Sequence, residues 1–316
     1  MLYKLLLLPA RIFFHLYCRR IVINKKKLLA QNGPLLIAAN HPNSFLDAIV
    51  LATLFKNPIH SLARGDAFAS KLITKILESF NMLPVYRVSE GVENLENNYD
   101  TFKACQDIFA NNGIVLIFSE GRCINEWHLR PLKKGTARLA LEAWKNGVSL
   151  KVLPLGINYS SFRTFGKDLS LNFGDFITKE ETDEVVYSGK SIIAFNQKLK
   201  SQLERLVFEI DNGDKQKHQE HFPTRRSFFK SLLLFIPSLA GIILHWPLYL
   251  SIHLSIKNKA EDHYDSIMTG LLFFVYPVYV VLITFIFLVV VKSWTALLLL
   301  FLIPFTLWSY VQLYGK

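Results

Sequence analysis

Leu35-Leu36-Ile37-Ala38-Ala39-Asn40-His41-Pro42-Asn43-Ser44-Phe45-Leu46-Asp47 joins a short apolar run to a polar loop and then to the start of a helical pattern. An apolar run of this length, without a polar interruption, reads as a strand buried on both faces, as strands of a parallel sheet are. A helix is expected to begin near Asn43, which places Asp47 about one turn inside it. In an open parallel sheet, ligands bind at the carboxyl ends of the strands, and His41 stands in such a loop. A carboxylate on its second ring nitrogen would fix the tautomer and stabilise the cation formed on proton uptake, as a general base requires. A capping histidine beside an unrelated helix carboxylate would leave the same residues, so the pair alone does not decide.

Working outward, short runs rich in Ile, Leu and Val alternate with helical segments between residues 34 and 180, the pattern of βα units around a mostly parallel α/β sheet flanked by helices. Strands are expected at Pro34 to Ala39, Ile59 to Ala63, Met82 to Tyr86, Gly113 to Phe118, Lys151 to Ile157 and Leu169 to Phe173. Helices are expected at about 44–55, 67–80, 92–111, 134–146 and 190–210. In the second, Phe68, Leu72, Ile73, Ile76 and Leu77 form one stripe, as in a helix that covers a sheet.

The flanks differ in composition. Residues 1–29 hold an apolar stretch that runs into Arg19, Arg20, Lys25, Lys26 and Lys27 without a small-residue cleavage site, so they are expected to form a retained helix at the membrane surface, its basic end cytoplasmic. A buried core helix is the alternative. Residues 30–210 are read as the catalytic domain and 211–226 as a polar linker, in which His218, Glu220 and His221 are scattered solvated residues rather than metal ligands. Residues 227–316 are read as a membrane region with two to three transmembrane helices. Ile267 to Val291 carries no charge over a length that crosses roughly 30 Å of hydrocarbon, and Trp294 to Val311 follows behind Lys292 and Ser293. Ser231 to Ile256 is interrupted by Pro237 and Pro247 and reads as a kinked span or an interfacial helix.

The net charge of +11 suits phosphate- or carboxylate-bearing partners. No nucleic-acid-binding pattern accompanies it, and the apolar C-terminal stretches favour membrane lipids. Cys18, Cys105 and Cys123 have no paired spacing, which excludes a disulfide framework and fits a reducing compartment.

Three more segments join His41 at the expected strand ends. Leu83-Pro84-Val85-Tyr86-Arg87 supplies an arginine, whose fork of donors bonds two phosphate oxygens at once. Phe118-Ser119-Glu120-Gly121-Arg122-Cys123 supplies a carboxylate, a flexible glycine and a second arginine, and Lys134 stands at the mouth of the following helix. Val152-Leu153-Pro154-Leu155-Gly156-Ile157 is an apolar strand broken by Pro and Gly. In order and spacing these blocks resemble those of the glycerol-3-phosphate and lysophosphatidic acid acyltransferase superfamily, over roughly residues 30–180. The resemblance implies that His41 and Asp47 act on the acceptor hydroxyl, that Arg87 binds phosphate, that Glu120, Gly121 and Arg122 shape the acceptor site, and that the Pro154 strand serves the acyl donor. It implies acyl-CoA or acyl carrier protein as co-substrate, a glycerol-phosphate or lysophosphatidate acceptor, and neither cofactor nor metal.

Two departures stand out. Five residues, rather than four, separate His41 from Asp47. One extra residue turns an ideal helix by about 100°, so a lengthened loop must restore the pairing. The longer spacing resembles that of enzymes acting on glycerol 3-phosphate or dihydroxyacetone phosphate. Ser119 replaces the usual proline, and the block ends in Arg122-Cys123. Cys123 is expected as a small buried residue and Ser44 as a helix cap, since the G-x-S-x-G elbow of a serine hydrolase is absent. The expectation is therefore an integral membrane O-acyltransferase of phospholipid biosynthesis whose catalytic domain faces the cytoplasm. Another acceptor such as an aminoacyl lysolipid, a non-catalytic lipid-binding protein of the same fold, and a lipid hydrolase stay open as alternatives.

Overall fold

Leu35–Ala39 forms a strand, β2, whose residues are all buried, because its two faces feed two separate cores. Leu35, Ile37 and Ala39 point into one with Leu46, Leu51, Phe55 and Leu155. Leu36 and Ala38 point into the other with Val115, Ala140, Trp144 and Phe195. Side chains alternate along a strand, so a strand covered on both sides must be apolar throughout. A computed structural model describes residues 2–86, 97–181, 188–224, 227–258 and 263–315.

Around β2 the chain runs α1 (Leu2–Tyr17), β1 (Cys18–Ile23), α2 (Ser44–Leu54), β3 (Ile59–Arg64), α3 (Lys71–Ser79), β4 (Met82–Val85), α4 (Asn97–Ala110), β5 (Ile114–Phe118), α5 (Gly135–Lys145), β6 (Lys151–Tyr159), β7 (Lys167–Phe173), α6 (Gly189–Leu206) and α7 (Lys215–His221). Three apolar helices close it: α8 (Phe228–Ile256), α9 (Tyr264–Val291) and α10 (Leu299–Tyr314). The seven strands lie in the order β1-β7-β6-β2-β5-β3-β4. All neighbours pair in parallel except β6 with β7, so the sheet is mostly parallel, as the sequence indicates. Because β7 and β1 run opposite to β2, their starts lie on the rim where β2, β5 and β6 end.

Several elements depart from expectation. Cys18–Ile23, within the stretch read as a surface helix, is an edge strand paired with β7. Arg19 and Asp168 bond each other across that pair, Nε to Oδ1 at 2.7 Å, which draws the basic cluster onto the sheet. On α1, Phe14 and Tyr17 enter the core while Leu5, Leu8 and Ile12 are exposed. The stripe of α3 is only partly covered among the described residues: Leu72 is 70% exposed, and Ile73 and Ile76 are also exposed, while Phe68 and Leu77 are half-buried. The helix packs on β4, an edge strand with no buried residue, so little sheet is left for it to cover. The segment read as a linker contains α7, capped by Asp214 and tied back by a 2.7 Å hydrogen bond between His218 Nε2 and the Ser160 carbonyl.

α8, α9 and the helical stretch Trp294–Tyr314 that contains α10 are each long and apolar enough to cross a membrane. α8 passes through Pro237 and Pro247 as one 29-residue helix rather than breaking, since a proline removes one backbone donor without forcing the chain to turn. α8 and α10 approach closely at Gly241, where a Cβ would stand 2.4 Å from the Thr306 carbonyl oxygen. Only glycine allows backbones so near each other.

Candidate active site

β2 ends at Ala39 and delivers His41 to the rim, where β5 delivers Glu120 beside it. The His41 main-chain N–H donates to Glu120 Oε2 at 2.8 Å, and the Arg130 N–H donates to Oε1 at 2.9 Å. Glu120 thereby pins two loops together. It is buried, and burial pushes its carboxyl up to about 7 against the pull of these two hydrogen bonds. Gly121 follows with φ +67, and the Lys133 side chain lies 2.9 Å from where a Cβ would be. Both the conformation and the space call for glycine.

The His41 ring stacks on Phe118, centroids 3.8 Å apart, and its Nδ1 lies 2.9 Å from Asp47 Oδ2. Asp47 is fully buried, while the imidazole keeps 14% exposure. An ionised carboxylate only accepts, so Nδ1 carries the hydrogen and Nε2 presents its lone pair. The pairing survives the five-residue spacing because Ser44 takes a left-handed conformation, φ 51. That costs a non-glycine residue roughly 1–2 kcal/mol and turns the chain so that α2 starts with Asp47 beneath His41. Ser44 does not cap the helix, as expected of it. Asn43 holds the cap position, without a side-chain cap bond, and the Ser44 N–H instead donates to Cys123 Sγ at 2.9 Å. Cys123 is buried, as expected of a packing residue.

Residues far along the chain brace this loop. Asp47 Oδ2 accepts a second hydrogen bond, 2.9 Å, from the Asn43 N–H, and Asn43 Nδ2 donates to Asp265 Oδ2 at 2.6 Å. Asp265, in the first turn of α9, also accepts from the Tyr17 hydroxyl and pairs with the Lys167 ammonium. All four side chains are buried, and burial lowers the pKa of Lys167. Next along α9, Ser266 Oγ donates to the Asn43 carbonyl at 2.8 Å and accepts from the Leu46 N–H at 3.2 Å. Asn40 bridges β2 to β6 through both main-chain groups of Ile157.

Sequence reasoning missed Asn43, Lys167 and Asp265. Lys167 and Asp265 fall just before the expected strand Leu169 to Phe173 and the apolar span Ile267 to Val291, and a carboxylate at the mouth of an apolar span was the one available signal, since such a charge needs a partner. Of the residues singled out in advance, His41, Asp47, Glu120 and Gly121 come together. Arg122 and Lys134 are exposed and, among the described residues, make no hydrogen bond or ion pair with them. Arg87 lies outside the described residues. Just before it, the Tyr86 N–H and carbonyl are both bonded by the Asn98 side chain, each at 2.8 Å.

The arrangement presents a proton acceptor, oriented and charge-compensated from behind, at the open rim of a parallel sheet. Residues 20–158 match the family model described as Acyltransferase. No curated protein matches the chain by sequence. Among solved structures, the chain is similar to the crystal structure of the 1-acyl-sn-glycerophosphate (LPA) acyltransferase PlsC from Thermotoga maritima, with 14% identity and a TM-score of 0.45 over 65% of this chain and 79% of that one.

Proposed function

We propose that this chain, whose residues 20–158 match the Acyltransferase family model, transfers a fatty acyl group from an acyl-CoA or acyl carrier protein thioester to the hydroxyl of a glycerol-phosphate or lysophosphatidate acceptor, for phospholipid synthesis. His41 Nε2 takes the hydroxyl proton as the oxygen attacks the thioester carbonyl. The tetrahedral intermediate collapses to the ester, and the departing thiolate recovers the proton from the imidazolium, which Asp47 has stabilised meanwhile. Glu120 and Gly121 hold the two loops that frame the acceptor, and Arg87, Arg122 and Lys134 supply cations for its phosphate. The three apolar helices cross the membrane, α1 lies along its surface, and the catalytic domain faces the cytoplasm. A lysolipid would then enter from the leaflet and its product would return there.

The observation that carries this reading is the 2.9 Å contact of His41 Nδ1 with a fully buried Asp47 carboxylate, which leaves Nε2 as the nitrogen that can accept a proton. Detergent-purified protein, assayed with labelled acyl thioesters against glycerol 3-phosphate, dihydroxyacetone phosphate, lysophosphatidate and an aminoacyl lysolipid, tests it. Transfer to a phosphate-bearing acceptor is expected, with His41→Ala slower by roughly 10²–10⁴-fold, the usual worth of a general base. Equal rates in wild type and variant would refute catalysis by this site. Release of fatty acid in place of an acylated acceptor would make the protein a hydrolase.

A further inference from the structure

Away from the crevice, the first turn of α8, the last turn of α10 and the start of β1 enclose a hollow of about 260 Å³ lined by Arg19, Arg20, Ser227, Lys230, Ser231 and Gln312. Three cations meet there, and the carboxylate paired with them among the described residues is Asp168, which bonds Arg19 through two nitrogens and Arg20 through one, at 2.8 Å. The hollow therefore carries excess positive charge. Arg19 is committed, its third nitrogen donating to the Gly315 carbonyl at 3.1 Å. Arg20 is not: its side chain is 41% exposed and it spends one nitrogen on Asp168. Lys230 bonds the Gln312 side-chain oxygen and sits 5.7 Å from the centre of the Trp308 ring, which leaves further donors for an anion. The Ser227 side chain caps no donor of α8, so the helix start adds N–H groups and a positive dipole end.

The surroundings select among anions. α8 begins where α10 ends, so the hollow sits at one boundary of the apolar layer that the two helices define. Around the same turns of α8, Phe228, Phe229, Leu232 and Leu233 are 67–80% exposed, an apolar surface on the sides of the helix that Ser227, Lys230 and Ser231 leave free. A small soluble anion would use the hollow and ignore that surface. An anionic phospholipid would use both, its phosphate on Arg20 and Lys230 and its chains along α8, and basic pockets between membrane helices bind such headgroups.

We infer that this hollow is a binding site for the phosphate-bearing headgroup of an anionic phospholipid, separate from the acyl-transfer crevice. The starts of β1 and β7 share a rim with the end of β2, and three strand spacings place the site about 14 Å along that rim from the β2 end. A lipid held there keeps the rim that carries His41 level with the headgroups. The assignment rests on charge, shape and position, and stands whichever acceptor the crevice takes.

Melting of the purified full-length protein in detergent, titrated separately with phosphatidylglycerol, phosphatidylcholine and inorganic phosphate, tests it. Phosphatidylglycerol is expected to raise the melting temperature of the wild type, while phosphatidylcholine and phosphate leave it unmoved. In Arg20→Gln/Lys230→Gln the half-saturating phosphatidylglycerol concentration should rise about ten-fold or more, with basal acyl transfer unchanged. Lys230→Arg, which keeps the charge, should titrate like wild type. Lys230→Gln alone, an exposed substitution, should weaken the response several-fold and serves if the double variant does not fold. Equal titrations of wild type and the glutamine variants would overturn the site, and a shift from inorganic phosphate as large as that from phosphatidylglycerol would overturn the lipid assignment.

Discussion

Glu120 sits between two main-chain donors, yet burial dominates and its carboxyl is held near 7 in place of the usual 4.5. Between those two values the folded protein keeps a proton that the unfolded chain has lost. Stability follows the difference in bound protons, so the folded state loses up to about 1.4 kcal/mol per pH unit as the pH rises from about 4.5 to about 7. The contribution is complete below 4.5 and gone above 7. Glu120→Gln removes this titration, so its stability should stay flatter over that interval in denaturant unfolding measured at several pH values. The amide has one acceptor for two N–H groups, so at low pH the variant should lie about 1–3 kcal/mol below wild type, the gap closing as pH rises. Parallel curves would mean that Glu120 is ionised in the fold throughout. The placement of His41, Glu120 and Gly121 at one rim was legible because each follows an apolar run, and that of Asp47 because it falls in the first turn of the helix that comes next. Asn43 was not: its neighbours in sequence explain it as a helix start, and its partner Asp265 is 222 residues away.

Among the elements, β2 and β5 were read correctly because a strand buried on both faces must be wholly apolar. β1 was not, because as an edge strand it alternates in burial, and its two arginines look solvated until Asp168 is known to lie across from them. The period of α3 foretold a helix but not what the stripe would face, since periodicity reports that one side differs and says nothing of what covers it. The prolines of α8 left a kinked span or an interfacial helix open, and the helix runs unbroken through both, packed against α10. Gly241 is a tight position in that packing. Gly241→Val would drive a methyl group into the Thr306 carbonyl oxygen, and overpacking of a tight contact costs about 1–3 kcal/mol. The variant is expected to melt earlier in detergent, with any kcat loss smaller than that of His41→Ala. An unchanged melting temperature would mean that the two helices separate freely.

For the molecule as a whole, the decisive feature is the buried group of Tyr17, Asn43, Lys167 and Asp265, which gathers the N-terminal helix, the His41 loop, the sheet and the first turn of α9 at one carboxylate. Breaking a buried ion pair by removing one charge typically costs about 3–5 kcal/mol, because the other is left without compensation. Asp265→Asn should therefore lose that order of stability by chemical denaturation, and Lys167→Met/Asp265→Asn should recover part of it. A loss under about 1 kcal/mol in the single variant would show that the pair contributes little. The same feature bears on how the protein is made. The His41 loop leaves the ribosome early, while Asp265 and Ser266 follow some 220 residues later, roughly 10–45 s at typical elongation rates. Until the second apolar helix has been synthesised, the strand-end loop lacks its brace. A nascent chain thus carries the His41 loop without the bonds from Asp265 and Ser266 until the first turn of α9 has been made.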